Sequence, residues 1–332
     1  PFKFYFGAPS CVPATTFETN GATLDVDEIE RLLGMKEILY LIEVMNIPGV
    51  LSGDSTVMGK IRIAKRYGKK IDGHAPGLRG EAAKRYSEAG ISTDHECLDL
   101  EEALEKIGYG MKIHIREGSA ARYLNILYPL LENHSDSCMF CSDDIHPDDL
   151  LQGHINEMAK KAIQYGIDRM KVLRCATVNP VMHYGLDVGL LRAGDPADFI
   201  VVNNLDEFCV LKTVINGTVV AERGEPLISS VKTEIPNNFK TGKKTVSDFK
   251  VETKGPFINV IEVNEGELVT RRRILRPKVE RGCAVTDIDN DVVKIAVVNR
   301  YKDMAPATGF IKGFGLKEGA IASSIAHDSH NI

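Results

Sequence analysis

The run EILYLIEVM (Glu37–Met45), then VMGKIRIAKRYG (Val57–Gly68), then KKIDGH (Lys69–His74) decides the fold. The first and third segments are short and mostly apolar, as strands covered on both faces must be, and the middle one spaces its apolar residues as a helix does. A strand, a helix and a strand in that order make a crossover unit with parallel strands. Outward from this unit the alternation continues. FKFYFGAPS (Phe2–Ser10) precedes it, and GISTDHE (Gly90–Glu96), MKIHIREG (Met111–Gly118) and SCMFCSDD (Ser137–Asp144) follow. Helical patterns such as DVDEIERLLGM, RGEAAKRYSEAG, LDLEEALEKIG and AARYLNILYPLLEN separate these runs, several with acidic starts and glycine stops. The fold class is therefore α/β with a parallel sheet. A closed barrel of this kind takes eight strands, so the expectation is an incomplete (β/α)8 TIM-like barrel holding about strands 3–8.

Where these strands run out, the chain places Glu43, His74, His95 and Asp143. Parallel barrel strands bring such residues to one mouth, where carboxylate and imidazole can bind divalent metal. Taken singly, each has a plain structural role open to it. Glu43 could pair with a helix lysine, His74 could sit in a turn beside Pro76, and His95 could bond a backbone carbonyl. Their shared placement favours the metal reading. Asp148 reads as the N-cap of the helical run after His146-Pro147, which leaves Asp143 for chemistry.

The bulk composition suits an enzyme of two or three folded parts: 332 residues, 43% hydrophobic and 26% charged. A net charge of −5 gives no reason to expect nucleic acid. The basic cluster Arg271, Arg272, Arg273, Arg276 and Lys278 reads as a solvated strand face. No apolar stretch approaches the ~20 residues of a membrane helix, so no membrane partner is expected. Seven irregularly spaced cysteines, several in apolar runs, predict free thiols in a reducing, cytoplasmic setting. The pair Cys138-x-x-Cys141 lacks the second pair of a structural zinc site.

Near Val188 the pattern changes. VGLLRAGDPADFIVVNN and VLKTVINGTVVAERGEP are short strands with Gly, Asp and Asn turns. The expected domains are residues 1–187, the partial barrel; 188–230, a small β-sandwich unit; and 231–332, a mainly β domain entered through a lysine-rich linker. Pro1 in place of an initiator Met, and an end within GAIASSIAHDSHNI, make the sequence read as truncated at both ends.

The order Glu, His, His, Asp at successive strand ends, followed by Gly-x-Leu-x-x-Gly-x-x-Ala-Asp-x-x-Val (Gly189–Val201), resembles the amidohydrolase superfamily of metal-dependent hydrolases. Within it, EVMNIPGVLSGD, DGHAPGLRG, STDHECL, IREGSAARYL, CSDDIHPDDL and HDSHNI are similar to the bacterial adenine deaminases, over nearly the whole chain. The resemblance implies a binuclear divalent metal centre. Glu43 would bridge the two ions, His74 and His95 would bind the second, and Asp143 would contact the first. The family's remaining ligands are a His-x-His pair, which is absent here. The resemblance therefore also implies that this chain alone is inactive. Ligand type suits Mn, Fe or Zn, and the resemblance favours Mn or Fe. It further implies adenine as the small-molecule substrate and a homo-oligomer.

Exchanging the 6-amino group of adenine for oxygen takes hydroxide, a proton on ring N1 and a proton for departing ammonia. Two metals sharing a carboxylate supply hydroxide near neutral pH. Asp143 is the expected proton shuttle, with Glu96 and Asp144 the candidates by position for protonating N1. Arg116, Glu117 and Ser119 follow a strand and match a family phrase, so they are candidate substrate contacts. His327 and His330, in a dense polar cluster, are further candidates. His114 reads as a packed core histidine. Asp198 reads as fixing a turn. The alternatives are another amidohydrolase acting on a cyclic amide or aminated heterocycle, and a non-catalytic barrel scaffold.

Overall fold

The computed structural model describes residues 2–14, 21–234, 239–265 and 270–323. Two compact units divide the chain: Pro1–Cys11 with Leu24–Lys232, and Val12–Thr23 with Thr233–Ile332. The second unit thus includes a segment from early in the chain, whereas the sequence pattern assigns residues 12–23 to the first domain. There Gly21 lies against the Tyr301 ring, where a Cβ would stand 3.0 Å from the ring carbons.

In the first unit, strands β1 (Phe6–Pro9), β2 (Ile38–Val44) and β3 (Lys70–Gly73) form one parallel sheet. Strands β4 (Thr93–Asp94), β5 (Lys112–Arg116) and β6 (Cys138–Cys141) form another. β3 and β4 run side by side, with Ser92 N donating to Ile71 O at 2.8 Å. Helix α1 (Val26–Leu33) follows β1, α2 (Ile47–Ser52) and α3 (Ser55–Arg66) follow β2, α4 (Gly80–Glu88) follows β3, and α5 (Leu100–Gly108) follows β4. Short α6 (Leu124–Leu127) and α7 (Leu130–Asn133) separate β5 from β6. The run α8 (Pro147–Leu150), α9 (Ile155–Gln164), α10 (Arg169–Ala176) and α11 (Val178–Tyr184) comes after β6.

Local chemistry sets these boundaries. Asp25, Asp54 and Asp99 each accept a backbone N–H from the first turn of α1, α3 and α5, satisfying donors that a helix leaves unpaired. At α8 the cap is His146, not Asp148 as the sequence suggests. Pro147 takes the first helical position, for which its fixed φ and missing N–H suit it, and Asp148 falls inside the turn. One apolar core packs Ile29, Leu33, Leu41, Ile61 and Ile71, and another packs Ile113, Ile115, Leu124, Leu127 and Met158. Each such side chain contributes about 1.5–3 kcal/mol on burial.

Strands β7 (Phe199–Val202), β8 (Val210–Ile215), β9 (Thr218–Glu222) and β10 (Glu225–Pro226) form one antiparallel sheet in the order β10-β9-β8-β7. The sequence predicts a sandwich here, but among the described residues these strands make a single layer. The reason is the turns. Asn216-Gly217 and Arg223-Gly224 both hold positive φ, the geometry of two-residue hairpins, so β9 adds beside β8 and β10 beside β9. Asp198 does fix a turn, accepting the N–H groups of Gly189 at 2.9 Å and Asn216 at 2.8 Å, and pairing with Lys3 at 2.7 Å.

The second unit is β-rich, with no α-helix among its described residues. Arg271–Leu275, Ile258–Glu262, Ala307–Lys312 and Val292–Val297 form one sheet, with Val260, Val292 and Phe310 in its core. Arg271, Arg272 and Arg273 are exposed on their strand, and Arg273 pairs across the sheet with Glu262 at 2.7 Å.

Candidate active site

The first unit brings Glu43, His74, His95 and Asp143 together. Glu43 is near the end of β2, His74 directly follows β3, His95 directly follows β4, and Asp143 lies just beyond β6. His74 Nδ1 and His95 Nε2 each stand 3.0 Å from the same oxygen, Glu43 Oε2, and 3.1 Å from one another. His95 Nε2 is also 3.3 Å from Asp143 Oδ2. Two features of the chain permit this closeness. At Gly73 a Cβ would stand 2.4 Å from Thr93 O, so only glycine lets β3 and β4 approach just before the two histidines. Asp143 holds φ +53, a left-handed conformation that Asp tolerates better than most residues and that turns its carboxylate off the line of β6.

Burial would raise the Glu43 carboxyl, but hydrogen bonds from both imidazoles outweigh it and hold it well below the usual carboxylate range. Burial pulls His95 down, yet Glu43 and Asp143 together keep it raised. Ligand atoms of Glu43, His74 and His95 lie within 4.8 Å of one another, and those of His95, Glu96 and Asp143 make a second such group. Imidazole nitrogens and carboxylate oxygens converging in this way fit a divalent transition metal.

Arg116, at the end of β5, organises the other side. Its guanidinium pairs with Glu96, with Asp143 at 3.1 Å and with Asp144 at 3.3 Å. Glu96 is only 2% exposed and accepts the Tyr123 hydroxyl at 3.2 Å. Arg116 Nε is buried and finds no hydrogen-bond partner among the described residues.

A cavity of about 440 Å³ opens on Glu43, His95 and Asp143, and its wall includes Tyr40, Asp72, His114, Cys141 and Tyr184. The sequence reading missed most of this wall. Asp72 Oδ1 accepts both Thr93 Oγ1 and Tyr184 OH at 2.9 Å, and Tyr184 OH lies 3.2 Å from His114 Nε2. Burial raises Asp72 to about 6 against these two hydrogen bonds. Burial likewise lowers His114 to about 3, with help from the charges of His95 and His183. Asp72 and His114 were visible as polar residues inside strands, one position class away from the strand ends. Tyr184 is remote in sequence and carried no signal.

Glu117 and Ser119 are not brought into this group. Glu117 pairs with Lys161 at 2.7 Å on the wall of a separate cavity of about 500 Å³, and Ser119 Oγ donates to Asp149 at 2.5 Å while accepting His146 N–H at 2.8 Å. Both secure loops. His327 and His330 lie outside the described residues. Among the described residues, no group with metal-ligand spacing includes Cys138 or Cys141.

Residues 1–220 match the amidohydrolase family, and residues 267–332 match the adenine deaminase C-terminal domain. Over its whole length the chain is 56% identical to the adenine deaminase of Sulfurovum sp., 51% to that of Salinibacter ruber and 50% to that of Methanosarcina mazei. It spans 61%, 61% and 62% of those proteins. The family match extends through every strand that carries a residue of the Glu43 cluster, and on that ground the chain belongs to the amidohydrolase family.

Proposed function

We propose that this chain is part of an enzyme that hydrolyses adenine to hypoxanthine and ammonia. The convergence of Glu43, His74, His95 and Asp143 carries the reading, and the adenine deaminase relatives supply the substrate. In the same reading β1–β6 are strands 3–8 of a (β/α)8 barrel, and residues 188–230 and 231–332 are its β appendages.

Glu43, His74, His95 and Asp143 would hold a divalent metal pair, Mn or Fe, with Zn also suited to the donor set. Bound there, the metals supply Lewis acidity and a nucleophile from water at neutral pH. Glu43 Oε2 and both imidazoles face one another, so all three could hold one ion together. Asp143, held from behind by Arg116, takes the proton of the attacking water and returns it to the departing nitrogen. Both candidate acids for N1 reach Arg116. Glu96 is enclosed, whereas the Asp144 side chain is 39% exposed. Glu96, enclosed against Arg116 and Tyr123, orients the guanidinium, and Asp144 is the other candidate for N1. The free cysteines, among them buried Cys97, Cys138 and Cys175, support a cytoplasmic setting.

The test is ammonia release by the complete, metal-loaded protein from adenine, guanine and cytosine. Release from adenine alone, abolished by chelation and restored by Mn2+, is expected. Release from another heterocycle but not adenine would replace the substrate, and release unaffected by chelation would remove the metal.

A further inference from the structure

Beneath the ends of β3 and β4 lies a trio of charged side chains that the proposed chemistry does not use. Lys106, Asp94 and Glu102 are each 0% exposed. Lys106 Nζ donates to Ala75 O at 2.6 Å, to Glu102 Oε1 at 2.5 Å and to Asp94 Oδ2, so all three ammonium protons are placed. The carboxylates then reach two loops. Asp94 Oδ1 accepts the N–H groups of Ala75 at 3.2 Å and Glu96 at 3.0 Å. Glu102 accepts those of Gly77 at 2.9 Å and Leu98 at 3.1 Å. Ala75 and Gly77 belong to the loop that carries His74, and Glu96 and Leu98 to the loop that carries His95. Asp94, Cys97 and Glu102 have the spacing of metal ligands, but the Lys106 ammonium already serves as their cation.

Stability alone is a poor reason for such a trio, since buried charges lose hydration and apolar side chains of equal volume often do as well or better. What fixed donors and acceptors add is direction. Five backbone bonds from one charged cluster set the main chain that directly follows each of the two imidazoles. We propose that Lys106, Asp94 and Glu102 are positioning residues that set the separation and aim of His74 and His95, and so the affinity of the centre for divalent metal. The proposal rests on the metal reading of Glu43, His74 and His95.

Lys106→Met and Glu102→Gln in the complete protein test it, with Mn2+ titrated against a competing chelator and metal-free unfolding followed in parallel. Lys106→Met leaves two buried carboxylates uncompensated. Glu102→Gln is the milder variant, keeping the ammonium and losing chiefly the Leu98 bond. The expected result is a Mn2+ dissociation constant raised roughly 10–100-fold in each folded variant. A lowered thermal midpoint with a wild-type dissociation constant would overturn the proposal, leaving the trio a structural staple. So would failure of both variants to fold. A wild-type protein that binds no Mn2+ would remove the underlying metal reading instead, which distinguishes the two failures.

Discussion

Replacing Arg116 with Met removes the guanidinium that joins Glu96, Asp143 and Asp144 while roughly keeping its length. The side chains of Arg116 and Glu96 are 5% and 3% exposed, so their pair is a buried one. Without Arg116, Glu96 keeps only the Tyr123 hydroxyl among the described side chains. Breaking a buried pair by deleting one partner costs about 3–5 kcal/mol, whereas the more exposed contacts to Asp143 and Asp144 are worth about 1 kcal/mol or less each. At roughly 2–4 °C per kcal/mol for a unit of this size, the thermal midpoint should fall by roughly 6–20 °C. Turnover should fall roughly 10–100-fold as Asp143 loses its support. The decisive assay is a double-mutant cycle with Glu96→Gln, in denaturant unfolding. A neutral amide needs no guanidinium, so the double variant should be more stable than the two single costs predict, by roughly 0.5–3 kcal/mol. Strictly additive costs, or a loss below about 1 kcal/mol for Arg116→Met, would refute the reasoning.

Three further outcomes follow from the geometry. Tyr86→Phe removes a fully buried hydroxyl that donates to Val44 O and accepts His74 N–H at 3.1 Å, and should cost about 1–3 kcal/mol in denaturant unfolding. Gly73→Ala forces β3 from β4 and should cost about 1–3 kcal/mol or more, with reduced metal content by elemental analysis; unchanged content would contradict the role given to that close approach. Hydrogen bonds from Lys3, Asn216 and Gly189 hold Asp198 at about 2, below its ordinary 3.8. A depressed carboxyl contributes stability that is full above the unfolded value and lost as pH falls through the folded one. The stability gap between wild type and Asp198→Asn should therefore narrow from about pH 4 towards about pH 2. A gap that stays constant over that range would rule out the linkage.

Glu43, His74, His95 and Asp143 were legible because each ends a short apolar run, and parallel strands in sequence order carry their ends to one side. Residues whose contacts depend on that assembly were less so. His114 reads as core by its place within a strand, yet it faces the cavity through Tyr184, which arrives from a helix far along the chain. Lys106 sits four residues after Glu102, a spacing common on wet helix faces, and only the packing of α5 shows that it is enclosed. Glu117 and Ser119 follow Arg116 directly, but the turn after β5 carries them towards Lys161 and Asp149. Among the described residues the strands after Val188 make one layer, since hairpin turns specify neighbours, not layers.

The central claim is that Glu43, His74 and His95 form one metal centre. A crystal structure of the complete protein grown with Mn2+, with anomalous scattering recorded, tests it most directly. The account predicts an anomalous peak within about 2.0–2.3 Å of Glu43 Oε2, His74 Nδ1 and His95 Nε2, displacing the short contacts among them. A peak elsewhere, with those imidazoles still bonded only to Glu43 and Asp143, would contradict it.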